Sequence, residues 1–208
     1  AGAREPAVNW RAMSAVLLAV ALATLDTAIA NTALPAIAAD LHASPAASVW
    51  IINAYQLAMV ATLLPFASLG DIVGHKRVYV AGLAVFTLAS LGCSLASTLP
   101  QLTAARIVQG FGASAIMSVN VALIRNLFPA HRLGRGVGFN ALVVGVSFAV
   151  GPTIASLILS VAAWPWLFAV NVPLGVFALA VAIPSLPQTA RGKHAFDPVA
   201  ALFNVITF

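Results

Sequence analysis

Six long apolar runs separated by short polar intervals fill most of this chain. They run from Arg11 to Pro35, Pro45 to Leu69, Val78 to Ala96, Gln101 to Ile124, Val137 to Val161 and Trp164 to Ile183. As a helix, each is long enough to cross a hydrocarbon core of about 30 Å, for which about 20 residues suffice. The apolar positions are continuous and do not alternate, which predicts helices and not barrel strands. A seventh run begins at Asp197-Pro198 and reaches only Phe208, so the sequence is expected to belong to a longer one. The predicted organisation is an all-α integral membrane protein. It has a tail over 1–10, a six-helix bundle over 11–183, a linker over 184–197 and the start of a truncated helix over 198–208.

Composition agrees with the pattern. Hydrophobic residues make up 62% of the chain and charged residues 7%, against about 25% charged in soluble domains. The net charge of +5 does not point to nucleic acid, because the basic residues lie between apolar spans and not among aromatics on a polar surface. Such placement fits topology control and anionic lipid. The first run is too long for the apolar core of a signal peptide and leads directly into another span. Cys93 is the only cysteine, so a packing role is expected and no intrachain disulfide.

The basic residues order the spans. Arg4 and Arg11 precede the first, and Lys76 and Arg77 separate the second and third. Arg125, Arg132 and Arg135 mark the join between the fourth and fifth, and Arg191 and Lys193 follow the sixth. The alternate joins, around Asp40-Leu41-His42, Ser97 to Pro100 and Ala162-Ala163, carry neither Lys nor Arg. The positive-inside rule then predicts a multi-pass protein of the cell membrane with a cytoplasmic N-terminus.

Two charges fall inside spans. Asp26, in LDTAIANTALPAI, costs a few kcal/mol at membrane depth and needs a task or a partner. It lies about 22 Å from the start of the first helix at ~1.5 Å per residue, and Arg106 about 28 Å from the opposite-running end of the fourth. Their depths match in the outer half of the bilayer. One reading is a static ion pair. The other is proton uptake and release by Asp26, with Arg106 as the tuning charge.

Three further segments stand out. In LGDIVGHKR, Gly70 and Gly74 suit a tight turn between antiparallel helices, with Lys76 and Arg77 opening the third. Asp71 there is read either as a cap on a neighbouring helix N-terminus or as part of a solvated, topology-setting turn. Gly151-Pro152 predicts a kink or unusually close packing in the fifth helix, as a pivot or as a static feature. Trp164 and Trp166 in WPWLFAVNVPLG suit an interfacial aromatic belt. Gly110, Gly112, Ala113, Ser114, Gly138, Gly145 and Gly151 are small residues expected at close helix contacts. Asn31, Asn53, Gln56, Gln109 and Asn120 are candidates for a substrate cavity or for hydrogen bonds between helices. An enzyme is not expected. The chain holds no HExxH, no paired-His metal site and no nucleophile–base set, and His42, His75, His131 and His194 fall in loops or at span ends.

In order and spacing, these segments resemble the motifs of the major facilitator superfamily, most of all its fourteen-span drug:proton antiporters. LDTAIANTALPAI resembles the first-helix signature with Asp26 at its acidic position. LGDIVGHKR resembles the loop motif between the second and third helices. LTAARIVQGFGAS resembles the fourth-helix motif, with Arg106 as its arginine. GVSFAVGPTIAS resembles the antiporter motif of the fifth helix, through Gly145, Gly151 and Pro152. Ala67, Ala155, Ser156 and Pro165 stand where the family commonly has Gly, a Gly pair and Arg. The resemblance implies the N-terminal half of a two-half fold, made of two inverted three-helix repeats around a central cavity. The short Pro184 to Asp197 linker suits the fourteen-span layout.

By the same resemblance, Asp26 couples protons and Asp71 belongs to a gating loop. The implied function is proton-driven efflux of drug-like, cationic or amphipathic compounds. No cofactor is implied beyond the proton gradient, and the implied partners are the lipid bilayer, the substrate, protons and the missing C-terminal half. A carrier of a specific metabolite or siderophore is the alternative within the fold. A non-transporting membrane interaction module is the alternative outside it, if the chain is naturally this short.

Overall fold

The computed structural model describes residues 9–188. The N-terminal tail before Asn9, Arg4, Arg191, Lys193, the linker beyond Gln188 and the seventh run lie outside the described residues. The helices are α1 (Trp10–Asp40), α2 (Pro45–Ser48), α3 (Trp50–Val73), α4 (His75–Ser94), α5 (Leu99–Leu127), α6 (Leu133–Val161), α7 (Pro165–Ala169) and α8 (Asn171–Ser185). Six of the resulting rods are long and apolar enough to cross a membrane, counting α2 with α3 and α7 with α8.

Helix starts follow local chemistry. Asn9 accepts a hydrogen bond from the Ala12 amide, Ser44 from Ala47 and Thr98 from Gln101. Each satisfies one of the donors that a helix leaves unpaired at its first turn. Proline stands in the first turn of α2, α5 and α7, where its missing N–H costs nothing.

The order of packing reveals the repeat. α1 packs against α6 as α5 packs against α3, and α4 against α5 as α8 against α1. Exchanging α1, α3 and α4 for α5, α6 and α8 therefore maps the principal contacts onto one another. This is what two three-helix repeats of opposite sense produce. The crossings rest on small residues. A Cβ on Gly112 would lie 2.5 Å from the Phe86 amide nitrogen of α4, and one on Gly110 2.5 Å from the Tyr55 carbonyl of α3. α5 is thus wedged between two neighbours at backbone distance.

The ends are tied on both sides. At the basic end, the Asn9 amide donates to the Ser185 carbonyl (3.3 Å) and the Lys76 ammonium to the Leu186 carbonyl (2.7 Å). Trp10 meets Phe128 and Phe139 edge-on. At the opposite end the Trp164 indole N–H donates to Asp40 at 2.7 Å. Arg11, Lys76, Arg77, Arg125, Arg132 and Arg135 all belong to the first end.

Several expectations are corrected. α1 continues through Pro35 to Asp40. The Leu69-to-Arg77 turn shrinks to one residue, because nothing before Val73 breaks the helix. Gly74 alone turns the chain, at φ 101°, a region that glycine enters without steric cost. Gly70 is helical, and its missing side chain makes room for Val119 of α5. Asp71 caps no backbone amide; its carboxylate meets the His75 ring at 3.1 Å, one turn on. Gly138 and Gly145 have no close neighbour among the described residues, whereas a Cβ on Gly151 would collide with Ala28. α6 runs unbroken through Pro152. The close packing expected at Gly151-Pro152 thus comes from Gly151.

Candidate functional site

Asp26 and Arg106 meet in the interior. One guanidinium nitrogen, Nη1, stands 2.5 Å from Asp26 Oδ2, and both side chains are 1% exposed. The pair is enclosed by side chains from five helices. Gln109, one turn after Arg106 on α5, donates to Asp26 Oδ1 at 2.9 Å and to Ser90 Oγ of α4 at 2.9 Å. Its carbonyl oxygen accepts from Arg106 Nη1 at 2.6 Å and from the Cys93 thiol at 3.5 Å. Asn171, the first residue of α8, donates to Asp26 Oδ1 at 2.8 Å. The carboxylate thus accepts from three side chains, all donors, which is the arrangement an ionised acid requires.

Arg106 has further support. Its Nε donates to the Ile51 carbonyl at 3.2 Å, and its guanidinium carbon lies 4.1 Å from the Tyr55 ring centre and 5.6 Å from that of Phe168. The first ring is in close cation–π range and the second at its edge. A buried pair of charges survives only when its remaining donors and acceptors are paired as well. Here α3, α4, α5, α7 and α8 share that work. The spanning helix α6 adds no side chain to this network among the described residues, yet its Gly151 lies against Ala28, two residues along α1 from Asp26.

The sequence brought Asp26 and Arg106 to one depth, and the structure brings them into contact. It also draws in Gln109, which faces this network and not an open cavity, because it lies one turn from Arg106 on the same face of α5. Asn120 is buried as well and donates to the Asn140 side chain of α6 at 2.8 Å. Asn31, Asn53 and Gln56 are exposed. Asn31 donates to the Thr27 carbonyl one turn back, and Asn53 and Gln56 line an open cavity of about 310 Å³ beside Leu57 and Val60. Gly70, Asp71, Gly74, Lys76 and Arg77 stay together at the basic end, well apart from the pair.

Sequence reading missed Asn171, Ser90, Tyr55 and Phe168. The segment Trp164 to Gly175 is more than an interfacial anchor: Trp164 is buried on Asp40, and Asn171 reaches the acid. The available signal was an amide inside an apolar span, which needs a partner there. Among the described residues, no cluster of three His, Cys, Asp or Glu side chains could hold a metal ion.

Comparison with known proteins bears on the same segment. The Major Facilitator Superfamily profile matches residues 16–206. The uncharacterized transporter YebQ of Escherichia coli K12 is 52% identical over 96% of this chain and 44% of its own length. The riboflavin transporter RibZ of Clostridioides difficile is 37% identical over the same shares. The tetracenomycin C resistance and export protein of Streptomyces glaucescens is 34% identical over 90% of this chain and 35% of its own length. An inward-open structure of the Escherichia coli xylose transporter XylE superposes with a TM-score of 0.75 at 16% identity, covering 87% of this chain and 48% of that one. The chain therefore spans under half the length of these relatives. With six spans in inverted repeats, a buried Asp–Arg pair and this match, the chain belongs to the major facilitator superfamily.

Proposed function

We propose that the complete protein is a secondary transporter that expels drug-like or amphipathic compounds in exchange for protons, with Asp26 as the proton-carrying group. The basic end then faces the cytoplasm, by the charge bias of its joins. The observation that carries this reading is the donor-only shell of Asp26. Protonation turns one acceptor position of the carboxyl group into a donor. The contacts from Arg106, Gln109 and Asn171 then lose the charge that strengthens them, and the links from α1 to α5 and α8 loosen. Arg106 keeps the Ile51 carbonyl, the Gln109 carbonyl oxygen and two aromatic faces, so its charge stays supported when Asp26 is neutral. The bundle then has two discrete arrangements selected by one proton, as coupling requires.

Support for the cargo comes from relatives named for export of, or resistance to, antibiotics. RibZ supports a second reading within the same fold, a carrier of one specific metabolite. Efflux from cells making the complete protein, tested with cationic dyes, antibiotics and riboflavin under an imposed pH gradient, separates the two. Broad, gradient-driven efflux is expected. Movement of a single metabolite without response to the gradient would overturn the first reading.

A further inference from the structure

Arg77 stands at the head of two apolar grooves that pass on either side of α4. The first, a cavity of about 460 Å³, lies between α4 and α8 and is walled by Val80, Ala84 and Ile183, with Lys76 and Arg77 at its mouth. The second, about 260 Å³, is bounded by Phe66 of α3, Val85 of α4 and Phe111 of α5. The grooves share Val73, Arg77 and Ala81. Away from the basic end, α4 and α8 expose Leu88, Val176 and Phe177. These side chains suit acyl chains and not water.

The charges at the mouth are unbalanced. Lys76 is committed to the Leu186 carbonyl. Arg77 is exposed and makes no hydrogen bond or ion pair among the described residues. The nearby acid, Asp71, is engaged by His75. α4 begins here without a side-chain cap, which adds the positive end of a helix dipole to the same spot.

We infer that Arg77 and the two grooves flanking α4 form a binding site for one anionic diacyl phospholipid, its phosphate on Arg77 and one acyl chain in each groove. The match is of charge and of shape: among the described residues Arg77 has no partner and is open to a phosphodiester, and two apolar grooves meet at it. Basic pockets between spans at the positively charged side recognise lipid headgroups in this way. The inference is independent of what the protein transports.

The complete protein, purified in mild detergent and offered equal phosphatidylglycerol and phosphatidylcholine, should retain phosphatidylglycerol in native mass spectrometry with a preference of about fivefold, as expected for one basic residue beside an anionic lipid. Arg77→Gln should abolish the preference and Arg77→Lys should keep it. Ala81→Trp, which fills both grooves from an exposed position, should reduce retention of either lipid. Gel filtration would confirm that each variant is folded. Equal retention of the two lipids by the wild type, or an unchanged preference in Arg77→Gln, would overturn the inference. So would a second copy or the chain beyond residue 188 filling the grooves, seen as no lipid retained and no effect of Ala81→Trp.

Discussion

The Asn171 amide donates to Asp26 Oδ1 at 2.8 Å, although 145 residues separate the two. Through this contact the first helix of one repeat and the last helix of the other share an acid that neither can hold alone. Removing the donor leaves a buried carboxylate short of one partner, at a cost of about 1–3 kcal/mol. Asn171→Ala is therefore expected to lower the thermal stability of the complete protein in detergent by that amount. Asn171→Asp should be worse, because it sets a second carboxylate against the first. A scan of melting temperature for both variants checks the order.

Gly151 gives a second test. Alanine there meets Ala28 at a distance no Cβ tolerates, and overpacking of this kind costs about 1–3 kcal/mol. Gly145→Ala, earlier on the same helix and open in space among the described residues, should change stability by no more than about 0.5 kcal/mol, or raise it. Parallel melting curves of the two variants measure the contrast. Equal losses would mean that the α1–α6 crossing does not rest on Gly151.

Cys93 reports on opening. Its thiol is fully buried and directed at the Gln109 carbonyl oxygen. A maleimide should label it slowly in the wild type and faster in Asp26→Asn, where the network holding α1 to α5 and α8 is weakened. The measurement is a labelling time course on complete protein whose cysteines outside this chain have been replaced.

The Lys76 ammonium bonds the carbonyl of Leu186, the residue that follows α8, where a cation also meets the negative end of the helix dipole. Lys76→Met should destabilise the basic end by about 0.3–1 kcal/mol, the usual worth of such a charge. Hydrogen exchange of amides in the last turn of α8 should rise while exchange around Trp164 stays unchanged.

These residues also mark what the sequence made legible. The spans were readable because a membrane demands long, continuous apolar runs. Asp26 and Arg106 were readable because only two charges lie inside those runs, and depth along a helix follows from residue count. Asn171 was not, because a neutral amide is cheap enough to face lipid headgroups, cavity or core, and its rotation about the helix axis depends on packing. The same holds for Gln109: its position in the fourth span was evident, but not that it turns to the acid. Asp71 was assigned to a loop because two glycines flank it. Only the φ of Gly74 shows which glycine bends the chain. Gly145 and Gly151 read alike in sequence, and Ala28 distinguishes them.

The central claim is that Asp26 carries the exchanged proton. It is tested most directly by proton flux in liposomes holding the complete protein, followed with an internal pH-sensitive dye while a transported substrate is added outside. Wild-type protein is predicted to show substrate-driven proton counterflow, and Asp26→Asn to move substrate down its own gradient with no proton movement. Counterflow of protons at the wild-type rate in Asp26→Asn would contradict the account.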